Sequence, residues 1–299
     1  MIRPPYLKKG DKIAIVSPAR SISFAEVHPA IRVFNEFDLE VSLGSYIFSR
    51  HNQFAGTDER RLWDFQQALD DDEIRAIICS RGGYGTVRIV DKLDFTRFCA
   101  IPKWIVGYSD ATILHAHIHQ KFGIETLHAV MPVNIGKNAD AESVETMVNA
   151  LFGRKIAYNY PVSQLSRKGA AEGVLTGGNL SIIYNLAGTV SSPDTAGKIL
   201  FLEDVDEYLY HIDRMMMNLK RSGKLGKLSG LIVGGMTGIK DNAIPFGKTA
   251  NEIIAEAVKE YSYPVCYDFP AGHLDKNLAL IMGRQVRLKV GKTVEIFFY

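Results

Sequence analysis

Residues 103–130, KWIVGYSDATILHAHIHQKFGIETLHAV, predict a strand, a helix and a second strand in direct succession. The β-rich run KWIVGYS is followed at once by the helix-like DATILHAHIHQKFG, and the strand-like IETLHAV comes next. A strand, a helix and a further strand in this order form a right-handed βαβ unit with parallel strands. This stretch therefore predicts an α/β fold.

The same alternation extends toward the N-terminus. An N-cap candidate, Thr57 or Asp58, opens one of the helices. Strands that alternate with helices predict a largely parallel sheet. The predicted strands lie at 11–17, 39–44 and 74–80, and the helix-like segments lie at 24–37, 57–71 and 86–94.

The alternation is interrupted by a polar connector dotted with aromatic residues, at 158–168. We place the domain boundary there, which gives an N-terminal domain at 1–160 and a smaller C-terminal domain at 168–299. The C-terminal domain is predicted to end in a hairpin around Gly291 and Lys292. Its other predicted elements are strands at 198–206, 228–236 and 265–270, and helices at 210–221 and 249–261.

The composition is that of an ordinary globular protein and disfavours several classes of partner. Of the 299 residues 46% are hydrophobic, and the formal charge is only +2, with both signs spread along the chain. No block of Lys and Arg stands out, so we expect no nucleic-acid partner and no anionic membrane surface. The apolar runs are also too short to span a membrane.

The cysteines and the N-terminal residues predict a cytoplasmic protein. Residues 1–17 lack the apolar core of a signal peptide. Cys79, Cys99 and Cys266 are odd in number and have no CxxC spacing, which suits a reducing compartment.

The segment WIVGYSDAT places Ser109 where a predicted strand turns into a helix. A serine at such a turn points outward beside helix N-terminal amides, which can bind an oxyanion. Ala111 replaces the last glycine of the G-x-S-x-G pattern. Two interpretations stay open: Ser109 is a nucleophile, or Ser109 or Asp110 caps the helix.

A glycine-rich turn, RGGYG at 81–85, directly follows another predicted strand. Neither of the nucleotide-binding patterns GxxxxGK[ST] and GxGxxG occurs there. The turn is either a cradle for an anion or oxyanion, because glycines let backbone amides approach a ligand, or a plain tight turn.

Polar residues follow two predicted strands of the second half. Glu203 and Asp204 end the strand KILFL, and His273 follows the Pro-Ala-Gly turn after VCYDF. A histidine that acts as a general base needs a carboxylate to fix its tautomer, and these residues could supply both. Alternatively, each is a surface loop residue.

Three histidines in HAHIHQ, namely His115, His117 and His119, suggest a metal at first sight. Alternate residues on a helix point about 200° apart, so the three side chains cannot converge on one ion. His115 and His119 have helical i, i+4 spacing, but no HExxH glutamate lies between them. We predict no metal.

Six motifs in a fixed order carry a family resemblance: IAIVSPA, RGGYG, GYSDAT, GVLTGGNLSII, FLEDVDEYLYHIDRM and FPAGH. With them the chain resembles the LD-carboxypeptidase family of serine peptidases, which includes murein tetrapeptide carboxypeptidases and microcin-immunity peptidases. It departs from that family at Ile281 and Met282, where Leu-Pro-Leu is common, and at His211, where a basic residue is common.

The resemblance implies a catalytic triad and an oxyanion hole. Ser109 is the implied nucleophile, His273 the base and Glu203 the residue that orients it. The amide of Asp110 and that of Gly83 or Gly82 form the implied oxyanion hole. Arg81, beside the glycine turn, either grips the substrate carboxylate or is a structural arginine.

The resemblance also implies the fold and the activity. We expect a flavodoxin-like parallel-sheet N-terminal domain and a smaller, swivelling β-rich C-terminal domain. The expected enzyme is a cytoplasmic homodimer without a cofactor, and it releases terminal D-alanine from a murein tetrapeptide during cell-wall recycling. Alternatives are a peptidase or amidase that acts on peptidyl-nucleotide antibiotics, and a non-catalytic small-ligand binding protein.

Overall fold

The computed structural model describes residues 1–135 and 139–299, and within them the strands form two β-sheets. The strands in chain order are β1 (Lys12–Val16), β2 (Glu40–Leu43), β3 (Ile74–Cys79), β4 (Trp104–Val106), β5 (Thr126–His128), β6 (Ala157–Pro161), β7 (Gly169–Asn179), β8 (Ile199–Val205), β9 (Gly230–Thr237), β10 (Val265–Cys266), β11 (Leu280–Met282), β12 (Gln285–Val290) and β13 (Thr293–Phe298).

The helices also agree broadly with the sequence pattern. They are α1 (Phe24–Glu36), α2 (Asp58–Asp70), α3 (Thr96–Ala100), α4 (Thr112–Phe122), α5 (Pro132–Ile135), α6 (Ala141–Leu151), α7 (Leu180–Asn185), α8 (Leu209–Arg221) and α9 (Ala250–Ala257). Side-chain caps explain where several of them begin. The Thr57 hydroxyl caps α2, and α1 and α9 each open with a capping box.

The first sheet has the strand order β11-β5-β4-β3-β1-β2. Strands β1 to β5 run parallel in the flavodoxin-like order 2-1-3-4-5, and β11 is antiparallel to β5. Ligands of such sheets bind beyond the carboxyl ends of the strands. Ser109 lies just beyond the end of β4.

The second sheet is mixed and has the order β10-β9-β8-β7-β12-β13-β6. Strands β7 to β10 run parallel, whereas β12, β13 and β6 are antiparallel. The predicted C-terminal hairpin is present as β12 and β13, whose residues alternate between buried and exposed.

Two local predictions were wrong. The segment 86–94 is not an α-helix but two short 3₁₀ turns, Thr86–Arg88 and Val90–Lys92. The run of β-branched residues there disfavours a helix, and neither turn has a side-chain cap. The segment 158–168 was predicted to be a connector, but its first residues belong to strand β6. The pairing of β6 with β13 satisfies the backbone hydrogen-bonding groups there.

The chain crosses between the sheets. Strand β6 joins the second sheet, and β11, from the C-terminal half, joins the first. One continuous hydrophobic cluster includes Ile13 and Ile15 of the first sheet and Phe201 and Ile232 of the second. The division at 1–160 and 168–299 stays a prediction, but the shared core means that the two sheets are packed together.

In the residues that the structure describes, no helix is both long enough and apolar enough to cross a membrane.

Candidate active site

Ser109 lies at a sharp turn between β4 and α4. Its φ angle is 61°, in the left-handed region that costs a side-chain-bearing residue roughly 1–2 kcal/mol. A single 3₁₀ turn, Ser109–Ala111, leads directly into the helix. This strained turn projects the serine from the strand end, as the sequence pattern predicted.

The structure brings His273 and Glu203 to this serine. The Nε2 atom of His273 lies 3.1 Å from Ser109 Oγ, and Nδ1 lies 2.7 Å from Glu203 Oε2. The same carboxylate oxygen also accepts the backbone N–H of His273 at 3.2 Å. An ionised carboxylate accepts only, so Nδ1 carries the ring proton and Nε2 is left to accept one from the serine. The predicted side chains therefore converge at hydrogen-bonding distance.

Glycines make the approach of the histidine loop possible. Gly272 has φ 106°, and a Cβ there would lie 2.6 Å from Glu203 Oε2. A β-bulge in the pairing of β8 with β9 lies at Glu203. Gly234 on β9 lies close to the histidine loop, because a Cβ on Gly234 would be 2.5 Å from the carbonyl oxygen of Ala271. Bulges occur frequently next to active sites, where they redirect side chains. The sequence motif GG in β9 is thus a packing requirement of the histidine loop.

Burial and charge act in opposite directions on His273. Burial lowers the pKa of the imidazole, but the charge of Glu203 and its hydrogen bond raise it, and the net pKa lies above the ordinary value. Glu203 is fully buried, so its charge is little screened by water. A histidine in this setting is a stronger base than free imidazole.

The glycine turn 81–85 lies beside the serine. A Cβ on Gly82 would lie 2.8 Å from Ser109 Cβ, whereas a Cβ on Gly83 would meet the side chain of Arg20. Asp110 holds the far end of the turn, since its Oδ2 accepts the N–H of Thr86 at 2.9 Å. Burial raises the pKa of Asp110. The carboxyl group of Asp110 is therefore engaged inside the protein.

Arg81 lines the cleft with His273. A cavity of about 510 Å³ is bordered by Arg81, Tyr108, Asn134 and His273, and a second of about 400 Å³ reaches Ser109. Arg81 already has partners in the protein, because it donates to the carbonyl of Ser21 at 3.1 Å and its Nη1 lies 3.6 Å from Glu26 Oε1. Its position fits both readings that the sequence left open.

The sequence prediction missed residues that support His273. The ring of Tyr108 packs edge-on against the His273 ring, with 4.9 Å between the ring centroids. Asn134 donates a hydrogen bond to the hydroxyl of Tyr108. Burial raises the pKa of Tyr108 to about 12, so it stays neutral. Asn277 accepts the N–H of Gly272 at 2.8 Å and so shapes the loop. The adjacency of Tyr108 to Ser109 was a usable signal, but nothing in the sequence singles out Asn277.

The three histidines of α4 have separate partners. His115 Nε2 lies 2.8 Å from the carbonyl oxygen of Gly107, His117 Nδ1 lies 2.8 Å from Ser191 Oγ, and His119 Nε2 lies 3.0 Å from Thr126 Oγ1. Among the described residues no group of three or more potential ligands is placed to hold a metal ion.

Comparison with known proteins defines the class. The family model described as the LD-carboxypeptidase N-terminal domain matches residues 13–129, and that of the C-terminal domain matches residues 172–288. These matches make the protein a peptidase. The chain belongs to the LD-carboxypeptidase family.

Curated relatives cover almost the whole chain. A probable murein peptide carboxypeptidase of Bacillus subtilis (strain 168) is 33% identical, over 98% of this chain and 93% of the relative. The murein tetrapeptide carboxypeptidase of Pseudomonas aeruginosa is 29% identical, over 93% of both chains.

Solved structures share the fold. The muramoyltetrapeptide carboxypeptidase of Oxalobacter formigenes superposes with a TM-score of 0.88 at 28% identity, over 96% of this chain and 98% of that one. The microcin C7 self-immunity protein MccF gives a TM-score of 0.89 at 21% identity, over 99% and 98% of the two chains. The predicted family resemblance and the α/β fold are confirmed, whereas the roles of individual residues stay predictions.

Proposed function

We propose that this peptidase is a serine-type LD-carboxypeptidase, which hydrolyses the amide bond between an L-configured centre and a terminal D-amino acid. The arrangement of Ser109, His273 and Glu203 is the observation that carries the proposal. The proposed substrate is a murein tetrapeptide, which loses its terminal D-alanine. The names of the relatives from Bacillus subtilis and Pseudomonas aeruginosa support this choice.

The proposed reaction begins with proton transfer from Ser109 to His273. The serine oxygen attacks the scissile carbonyl, and Glu203 stabilises the imidazolium that forms. His273 then gives the proton to the leaving amine, and water hydrolyses the acyl-enzyme with the same histidine as base. The edge contact with Tyr108 supports this role, because it packs a second side chain against the imidazole beside the bond to Glu203.

The proposed oxyanion hole uses backbone amides. The N–H of Asp110 follows the nucleophile directly, and the second donor is an amide of the glycine turn, Gly82 or Gly83. The closeness of Gly82 to Ser109 supports the participation of this turn, since a side chain at 82 would occupy the space beside the nucleophile. Such fixed donors stabilise charge that develops in the transition state.

The proposed carboxylate grip is Arg81. A carboxypeptidase must recognise a terminal carboxylate, and a guanidinium binds one with two parallel hydrogen bonds. Arg81 borders the same cavities as His273, which supports the assignment. Arg20 borders the cavity that contains Ser109 and is exposed, so it is a second cation near the same site.

A second candidate substrate is a peptidyl-nucleotide antibiotic. Tyr84 is 46% exposed and borders the cavity that contains Ser109, so its ring is available to stack on a base. We place this candidate second because the ring of Tyr84 also packs against that of Phe54, at 6.1 Å.

The experiment that tests the function compares stereoisomers. The protein is incubated with murein tetrapeptides that end in D-alanine or L-alanine and with an aminoacyl sulfamoyl adenosine, and products are identified by mass spectrometry. We expect release of D-alanine from the L,D peptide alone, with or without EDTA, because the triad needs no metal. Cleavage of only the nucleotide would select the second candidate, and no cleavage of any substrate would favour a binding protein.

The proposed setting is a cytoplasmic homodimer. The structure contains free thiols at Cys79, Cys99 and Cys266, and such thiols fit a reducing compartment. The dimer rests on the family resemblance, and sedimentation equilibrium of the purified protein tests it.

A further inference from the structure

A chain of buried polar residues connects the two strand ends that carry the triad. Asp204, next to Glu203 on β8, is only 1% exposed. Its Oδ1 accepts the side-chain N–H of Asn179 and its Oδ2 accepts the backbone N–H of Ser181, both at 2.9 Å. Glu203 therefore bonds to His273, while the next residue, Asp204, bonds to Asn179 at the end of β7.

Asn179 carries the connection to the first sheet. It is 4% exposed and lies at the end of β7, paired in register with Glu203. Its backbone N–H donates to the hydroxyl of Thr112 at 3.1 Å. Gly178 permits this approach, because a Cβ there would lie 2.6 Å from Thr112 Oγ1.

Thr112 completes the connection to the nucleophile. It is the fully buried first residue of α4, and its backbone N–H bonds to the carbonyls of Ser109 and Asp110. The contacts thus form a closed ring, from Ser109 through Thr112 and Asn179 to Asp204, on to the adjacent Glu203 and through His273 back to Ser109.

We propose that Thr112, Asn179 and Asp204, together the support chain, are positioning residues that hold Ser109 at reacting distance from His273. This inference rests on the proposed serine chemistry. The support chain is a hydrogen-bonded link between the β4 and β8 ends that does not pass through His273. A displacement of about 1 Å costs on the order of 10²-fold in rate, so even small slippage is measurable.

A buried carboxyl group is costly, and this one is no exception. Burial and the neighbouring charge of Glu203 raise the pKa of Asp204 to about 7. Burial of a carboxyl group contributes little to the stability of a protein. The hydrogen bonds of Asp204, which fix the positions of Asn179 and Ser181, explain its presence better.

The test replaces the hydroxyl that links the sheets. Thr112→Val keeps the shape of the side chain but removes the acceptor for Asn179. We expect kcat to fall about tenfold or more with KM within about twofold, because binding groups are untouched and only the reacting geometry changes. Thr112→Ser restores the acceptor and should recover kcat to within about threefold of the wild type.

A matched control separates positioning from stability. Thr146 Oγ1 also accepts a backbone N–H across the two halves, from Ala279 at 3.1 Å. Thr146→Val should lower the melting temperature as much as Thr112→Val does while kcat stays at the wild-type value. An equal loss of kcat in both variants, or a Thr112→Val enzyme within about twofold of the wild type, would overturn the inference.

Two further measurements keep the test decisive. If Thr112→Val does not fold, Asp204→Ala removes the oxygen that accepts from Asn179 and breaks the chain at its other end. It should give the same fall in kcat at constant KM. The rate at which a fluorophosphonate labels Ser109 gives a readout independent of peptide. If the wild-type protein is labelled but cleaves no peptide, the proposed substrate is wrong. In that case the labelling rate still tests the support chain: Thr112→Val should slow labelling, and Thr146→Val should not.

Discussion

The segment that carries Ser109 and the segment that carries His273 are held in place in different ways. Ser109 sits between a strand and a helix that adjoin it in sequence, and its strained φ angle is set within that turn. The loop at 268–278 has no regular structure of its own around His273 and is fixed by Glu203, by Asn277 and by backbone bonds to β9. A proposed nucleophile whose backbone turn is set by its neighbours in sequence is thus paired with a proposed base that tertiary contacts place.

That difference predicts where the site is fragile. A change of the Ser109 side chain itself should remove activity but leave the fold, because the turn keeps its neighbours. Changes around His273 should affect chemistry through the position of the ring.

The largest effect is expected at Ser109, the proposed nucleophile. Ser109→Ala should lower kcat by about 10³-fold or more, as expected when a triad serine is removed, while the melting temperature stays close to that of the wild type. Steady-state kinetics and calorimetry measure both. A variant that retains more than about a tenth of the wild-type kcat would show that another group attacks the substrate.

The next effect concerns the carboxylate that holds the histidine. Glu203→Gln should lower kcat by about 10²–10⁴-fold, because a neutral amide neither fixes the Nδ1–H tautomer nor stabilises the imidazolium. Glu207, whose Oε2 lies 2.5 Å from Nδ1 of His211, forms a similar pair away from the serine. Glu207→Gln is therefore the control and should keep wild-type kcat, and an equal loss in both would contradict the assignment.

A smaller effect is expected in the loop that presents His273. Gly272→Ala introduces a Cβ close to Glu203 at φ 106°, so we expect kcat to fall by about 10²-fold as the ring shifts. Gly188 has φ 85° but open space around its Cβ position. Gly188→Ala should share the backbone strain of about 1–2 kcal/mol in the free energy of unfolding without the loss of kcat. Equal kcat in the two variants would show that the loop tolerates displacement.

The smallest effect is a shift in pH dependence. His273 must be neutral to accept the serine proton, and its pKa is raised, so the acid limb of kcat/KM should have a midpoint above about 6.5. The raised pKa also means that protonation of His273 stabilises the fold below the unfolded pKa, and that this contribution is lost as pH rises through the folded pKa. A kcat/KM profile with its acid midpoint below about 6 would contradict the pairing with Glu203.

The same contrast explains how much of the site could be predicted from sequence. The strand-to-helix turn at Ser109 leaves a local signature, and the polar residues that end β8 and follow β10 were identified as candidates for the same reason. The contact of Tyr108 with His273 and the bond from Gly272 to Asn277 have no local signature, since each depends on where the loop lies.

The sequence by itself determined the alternation of strands and helices, the largely parallel direction of the strands in the first sheet and the residue types available for chemistry. These follow from hydrophobic periodicity, turn residues and caps, which act over a few neighbouring residues. Only the tertiary structure decided that β6 joins the second sheet and β11 joins the first. It also decided that Gly82 lies closer to Ser109 than Gly83 does, and that Thr112 bonds to Asn179. Those contacts join residues far apart in the chain, and packing selects them only when both sheets have formed.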